Sequence, residues 1–150
     1  MTWYLLLKYI HVLLGITAVG TNITYAVWNT RGAREKEHLS FALRGVSFLD
    51  RRVANPAYGL LLLTGLALVW VGGWGFKRWI ISSLFLFVLL IVVAVGFYSR
   101  TMNRQIEVLE KEGESSPAYQ RLAAQAQRVG IILIVIVLAI IFMMVVKPVS

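Results

Sequence analysis

Four long apolar runs, separated by polar segments, set the pattern of this chain. The runs cover about residues 3–28, 56–74, 79–98 and 129–146. Each is close to the roughly 20 helical residues that cross a hydrocarbon core of about 30 Å. The first run is too long for the apolar core of a signal peptide, so we expect it to be a retained span. The pattern predicts an all-α fold, a four-helix transmembrane bundle, with residues 1–150 forming one integral membrane domain.

The polar segments between the runs also carry helical patterns. Apolar residues recur at helical spacing between 39 and 53, which predicts an amphipathic helix. Asn55 and Pro56 have the order of a helix cap followed by a first-turn proline, and they predict the start of the second span. Ser116 and Pro117 predict the start of the last helix in the same way. We therefore expect cytoplasmic helical extensions that continue the bundle beyond the membrane.

Composition and charge placement indicate the environment of the chain. Hydrophobic residues make up 59% of it, the mean hydropathy is +0.74, and cysteine is absent. Without cysteine, disulfides, thiolate metal sites and iron–sulfur clusters are excluded. The formal net charge is +8, and 11 of the 15 Lys and Arg residues lie in the segments 29–55 and 99–128. The positive-inside rule makes these segments cytoplasmic.

This topology predicts a multi-pass protein of a bacterial inner membrane, with both termini outside. The basic residues then serve orientation and contact with anionic lipids, and no nucleic-acid partner is expected. Arg51 and Arg52, just before the second span, are the candidate ligands of lipid head groups.

One face of the first span consists of small and polar residues at alternating spacings of four and three, as a helical stripe requires. The stripe, which we expect to pack against protein or a cofactor, comprises Tyr4, Lys8, His11, Gly15, Ala18, Asn22 and Tyr25. The fourth run has no polar side chain from Ile131 to Val146, and we expect it to face lipid. Lys8 lies near the outer end, where its ammonium group can reach the lipid head groups.

His11 is the leading candidate for chemistry. An imidazole within a span can ligate haem iron, relay protons or form a hydrogen bond to a neighbouring helix. The other histidine, His38, lies in a cytoplasmic segment about a bilayer away, which excludes bis-histidine ligation within one chain. Met143 and Met144 have a suitable depth for a His/Met pair, and a second copy could supply another His11. Haem b is the cofactor that this residue set suggests, beside a simple hydrogen bond between helices.

No catalytic motif is evident in the chain. It contains no phosphate loop, serine triad, metalloprotease helix or carboxylate pair. None of the four predicted spans contains Asp or Glu, and ion-coupled transporters usually need such carboxylates at mid-membrane depth. The sequence therefore favours a protein without catalytic machinery.

The stretch SFLDRRVANPAYGLLLLTGLALVW, with KYIHVLLGITAVG upstream, resembles a bacterial family of predicted four-span integral membrane proteins of unknown function. The matching motif residues are Arg51, Arg52, Asn55, Pro56, Thr64 and Gly65. This resemblance implies a fold and a membrane location but no activity. The first helix is more distantly similar to copper-resistance D-like and HemJ-type haem-associated membrane proteins, and the latter similarity implies a haem contact at His11.

Two functions follow as hypotheses. The first is an accessory or structural subunit of a larger membrane assembly, with lipids and other membrane subunits, or further copies of the chain, as partners. The alternative is a redox or haem-handling membrane protein that uses His11 as an axial ligand of haem b.

Overall fold

The structure is a computed structural model that describes residues 2–148. Within that range the chain is helical and forms no strand. Its four long, apolar helical stretches confirm the predicted all-α, four-helix transmembrane bundle. The α-helices are α1 (Trp3–Arg34), α2 (Leu39–Leu49), α3 (Asn55–Val71), α4 (Arg78–Ile91), α5 (Ser99–Glu112) and α6 (Pro117–Val146).

Two of the long stretches contain a π-helical segment. Asp50–Ala54 joins α2 to α3, and Val92–Tyr98 joins α4 to α5. In each segment the next residue donates its amide to the carbonyl five positions earlier, from Asn55 to Asp50 and from Ser99 to Ala94. The chain therefore turns slightly wider there without leaving the helix.

The α-helix α3 begins at Asn55 and Pro56 as predicted, but the prediction that Asn55 caps a free helix end is wrong. Asn55 has helical backbone angles, with φ −63° and ψ −45°, and it continues the π segment. Proline has no amide hydrogen, and its ring crowds the preceding turn of a regular helix. The π segment immediately before Pro56 explains how the helix passes the proline without ending.

The start of α6 is confirmed. The Ser116 side chain accepts a hydrogen bond from the Tyr119 amide at 3.0 Å, and Pro117 is the first residue of the helix. The preceding helix, α5, ends at Glu112, where Gly113 takes a φ of 82° that favours glycine. These local signals make α5 and α6 an antiparallel hairpin.

The helices pack as two pairs. In the first pair, α1 lies along the continuous helical stretch formed by α2 and α3. In the second pair, α6 lies along the continuous stretch formed by α4 and α5. Packing between the pairs is concentrated where α2 contacts α5, and Asp50 of the first π segment is bonded there to Ser99 at the start of α5. We call residues 29–55 and 99–128 the charged half of the molecule, and the remainder the apolar half.

The tightest core lies in the charged half. Leu43, Val46 and Met102 are each at most 1% exposed and pack between α2 and α5. In the apolar half, by contrast, large side chains along α6 such as Val135 and Leu138 face outward. The core thus joins the two helix pairs between α2 and α5.

Candidate functional site

The stripe of α1 packs against α3 of the same chain. Its residues make two side-chain hydrogen bonds across this interface, His11 with Thr64 and Asn22 with Tyr58, and a third, Tyr4 with Trp74, to the turn that follows α3. Asn22 Nδ2 donates to the Tyr58 hydroxyl at 2.8 Å, and Trp74 Nε1 donates to the Tyr4 hydroxyl at 3.2 Å. Much of the polarity that the sequence places on α1 is therefore satisfied within the first pair.

The His11 ring is fixed by Thr64 and Gly65. Its Nδ1 lies 2.7 Å from Thr64 Oγ1, and Thr64 Oγ1 lies 2.7 Å from the Leu60 carbonyl oxygen. Because a hydroxyl has one hydrogen and the carbonyl can only accept, Thr64 donates to Leu60 and His11 Nδ1 donates to Thr64. This tautomer leaves His11 Nε2 with a free lone pair and, among the described residues, no hydrogen-bond partner.

Gly65 provides the room for this ring. A Cβ atom at Gly65 would lie 3.2 Å from His11 Cε1, which is tighter than ordinary contact. Gly15 on α1, which we expected to serve close packing, has nothing within 4 Å of such an atom. The close approach of α1 and α3 therefore depends on the glycine of α3.

The structure does not place the other candidate ligands against His11. Met143 and Met144 lie on α6, which packs along α4, whereas α1 packs along α2 and α3. Lys8 is exposed. Within one chain, His11 is thus a single imidazole held by one hydrogen bond.

A second polar cluster lies at the crossing of the two helix pairs. Asp50, the first residue of its π segment, is 3% exposed. Ser99 Oγ lies 2.5 Å from Asp50 Oδ2, and the Tyr25 hydroxyl donates to Asp50 Oδ1 at 3.5 Å. The cluster, which we call the Asp50 junction, brings together α1, both π segments and the starts of α3 and α5.

Aromatic rings close the Asp50 junction. Tyr25 and Tyr98 stack with their ring centroids 5.9 Å apart and their planes 8° from parallel. Asn29 Nδ2 donates to the Tyr98 hydroxyl at 3.5 Å, and Tyr58 packs edge-on against Phe87. These contacts connect the two pairs and keep water from the carboxyl group.

The carboxyl group of Asp50 has no cationic partner. No Lys, Arg or His nitrogen of the described residues lies within 4.0 Å of its oxygen atoms. The neighbouring Arg51 instead donates to the Asn103 side chain. A carboxylate that is removed from water without a cation is destabilising, which favours the neutral, protonated form of this group.

Sequence reasoning missed the Asp50 junction. Asp50 lies just outside the predicted second span, beside the candidate lipid ligands Arg51 and Arg52, and no role of its own was predicted for it. Both arginines are indeed exposed, but Asp50 points inward because the helix continues through this segment. Asp50 continues the helical spacing of the apolar residues Leu43 and Val46, and this spacing is the signal that could have revealed its inward position.

Comparison with protein families shows to which family the chain belongs. A family model described as a predicted integral membrane protein matches residues 5–148, nearly the whole sequence. The chain belongs to the DUF2269 family. No curated protein and no solved structure matches it.

Membership of DUF2269 confirms the resemblance read from the motif around Arg51 and Thr64, and its coverage extends to α6. It also confirms that this is an integral membrane protein, and the four apolar helices make it multi-pass. The more distant similarity to copper-resistance D-like and HemJ-type proteins stays a prediction. In this DUF2269 chain, two of the motif residues have a physical role: Thr64 accepts the hydrogen bond of His11, and Gly65 accommodates its ring.

Proposed function

We propose that this protein is an accessory subunit of a bacterial inner-membrane assembly and that it contacts its partner through the outer face of α2. The observation that carries the proposal is the exposure of two phenylalanines in the charged half. Phe41 is 72% exposed and Phe48 is 62% exposed, whereas the opposite face of α2 is buried. In this proposal the charged half is cytoplasmic.

Helical spacing places Phe41, Gly45, Phe48 and Arg52 on one side of α2 and its continuation. This side presents two aromatic rings and a guanidinium group, residue types that are enriched at protein interfaces. It fits a second membrane subunit whose cytoplasmic surface is apolar with acidic residues at its edge. The α1 stripe is less suited to this contact because His11 and Asn22 are already bonded to α3.

The test is copurification from native membranes in a mild detergent. We expect the wild-type chain to migrate in a complex larger than itself, and Phe41→Ser with Phe48→Ser to release it as a smaller species. Phe76→Ser is the matched control, because Phe76 is 65% exposed but lies in the turn between α3 and α4. A wild-type chain that migrates alone, or a complex that survives the double substitution, would contradict this proposal.

A haem-binding role is a second candidate because of the tautomer of His11. Metal-ligating histidines commonly donate their other ring nitrogen to a hydrogen-bond acceptor, which fixes the ring for ligation. Thr64 does this at Nδ1 and leaves the Nε2 lone pair available. The residues fit one axial ligand per chain, so a second strong ligand would come from another copy of the chain. A bound haem would supply one-electron redox chemistry.

An absorption spectrum of the purified protein tests the haem candidate. We expect a Soret band that is lost in His11→Ala and weakened or shifted in Thr64→Val, which leaves the histidine but removes its hydrogen bond. Thr24→Val is a control, since the Thr24 hydroxyl bonds only to a carbonyl of its own helix. If haem added to the folded protein gives the same spectrum with and without His11, this role is wrong.

A further inference from the structure

We propose that Asp50 and Ser99 form a proton-binding site, in which one proton held between their oxygen atoms links the two helix pairs. The site lies where the first π segment meets the start of α5 and is independent of the surface used in the proposed function. Its ligand is the proton itself, bound covalently by the buried carboxyl group and donated in a hydrogen bond to a hydroxyl oxygen.

The count of hydrogens around Ser99 favours this site. Ser99 Oγ is 2.5 Å from Asp50 Oδ2 and 3.1 Å from the Ala94 carbonyl oxygen. The hydroxyl has a single hydrogen, so it cannot donate to both oxygen atoms. If Asp50 is protonated, its hydroxyl donates to Ser99 Oγ and Ser99 donates to Ala94, and each of these close contacts then contains a hydrogen.

The surroundings of the carboxyl group agree with a bound proton. The titratable or charged groups that face Asp50 are Tyr25 on α1, Tyr58 on α3, Tyr98 in the second π segment and the adjacent Arg51. The tyrosines are neutral at ordinary pH, and Arg51 is exposed and donates to Asn103. The side chains of Ser99, Tyr25 and Asn55 form hydrogen bonds with the carboxyl group, but no cation replaces the proton. A buried carboxylate without a cationic partner is costly.

A charged Asp50 would disturb both pairs because Asp50 belongs to the first pair and Ser99, the first residue of α5, belongs to the second. Loss of the proton forces Ser99 to turn its hydrogen from Ala94 toward Asp50. The Asn55 side chain lies beside the carboxyl group, and its buried Oδ1 has no hydrogen-bond partner. Water attracted by the new charge could bond to this oxygen. We therefore expect deprotonation to loosen the contact between the pairs.

The chain is well suited to a direct test because Asp50 is its only aspartate among seven acidic residues. Protein labelled with ¹³C at the aspartate side-chain carboxyl therefore gives one resonance and one isotope-shifted infrared band. In the intact protein in detergent or lipid, we expect the protonated form of this group at neutral pH and its conversion to carboxylate in alkali. The unlabelled glutamates form the internal control.

Variants of the site and changes in Na⁺ concentration distinguish proton binding from the alternatives. Ser99→Ala should shift the titration of the Asp50 signal, whereas Glu112→Gln, which removes an exposed acid on the same helix as Ser99, should leave it unchanged. Asp50→Asn, a neutral mimic, should remove the pH dependence of the distance between spin labels attached at Leu63→Cys and Val88→Cys. A carboxylate signal at neutral pH would overturn the proposal, as would a signal that responds to Na⁺ concentration rather than to pH.

Discussion

The charged half and the apolar half of this protein are packed in opposite ways. Of the four largest side chains with less than 2% exposure, three, Leu43, Val46 and Met102, lie in the less hydrophobic half. In the apolar half, long stretches of α4 and α6 leave large side chains facing outward. The more hydrophobic part of the molecule is therefore the part with the looser core.

The solvent explains this difference. Outside the bilayer, apolar side chains are driven together by their removal from water. Inside it, a leucine facing a lipid tail is as well placed as one facing another helix, so helices associate through close packing and hydrogen bonds. The apolar half accordingly relies on contacts such as His11 with Thr64, whereas the charged half relies on a buried core.

The largest effect should come from opening a cavity in that core. Leu43 is 1% exposed, and Leu43→Ala should lower the free energy of unfolding by about 2–5 kcal/mol, as core leucine truncations do. Leu63→Ala, at a position 64% exposed in α3, should change it by less than about 0.5 kcal/mol. Reversible unfolding in mixed micelles measures both values. Equal losses would mean that the two halves do not differ in packing.

A smaller effect is expected where α1 and α2 approach most closely. A Cβ atom added at Gly32 would lie 2.9 Å from Ala42 Cβ, so Gly32→Ala must separate the helices. We expect a loss of about 1–3 kcal/mol from overpacking, partly offset by the better helix propensity of alanine. The same unfolding measurement applies.

Gly20→Ala is the matched control for this prediction. Gly20 also lies in α1, but an added Cβ would have nothing within 4 Å. Alanine there should stabilise the helix by about 0.5–1 kcal/mol. Opposite signs for the two substitutions would locate the close contact in the charged half, and two gains would refute it.

The sequence predicted the helices of this fold better than it predicted which residues contact each other between helices. The four spans and the cap at Ser116 follow from hydropathy and from residues close together in the chain, so they could be recognised locally. The bond between His11 and Thr64 joins residues 53 positions apart, and nothing in the local pattern of either residue specifies the other.

The Asp50 junction was missed for a related reason. Asn55 and Pro56 have the usual order of a helix start, but tertiary packing continues the helix through them as a π segment. That continuation turns Asp50 from a surface charge into a buried group. Tyr25 and Ser99, the partners of Asp50, lie 25 and 49 positions away in the chain, and no local pattern specifies them.

The third prediction concerns the hydrogen bond within the first pair. Thr64→Val keeps the shape of the side chain but removes the acceptor of the His11 Nδ1 hydrogen. Interhelical hydrogen bonds in membranes contribute about 0.6 kcal/mol on average and up to about 1.7 kcal/mol, and we expect a loss in that range. Thr24→Val is again the control. A loss as large as that of Leu43→Ala would show that the apolar half depends on its polar contacts as strongly as the charged half depends on its core.

The smallest effect should come from the exposed surface of the charged half. Lys111 Nζ lies 2.6 Å from Glu107 Oε1, one helical turn away on α5, and its ammonium group holds the pKa of the Glu107 carboxyl below its ordinary value. A lowered pKa means that the pair contributes stability above the ordinary pKa of Glu and loses it as the pH falls through the folded value. Both side chains are exposed, so water and salt screen the interaction.

A carboxyl NMR titration of Glu107 measures this directly. In Lys111→Met the pKa should return toward its ordinary value, whereas Lys111→Arg should keep it low, and added salt should reduce the difference. The unfolding free energies of the two variants should be nearly equal, because a solvated ion pair contributes little to stability. If Lys111→Met instead destabilised the protein as much as Gly32→Ala, surface charge and not the buried core would hold the charged half together.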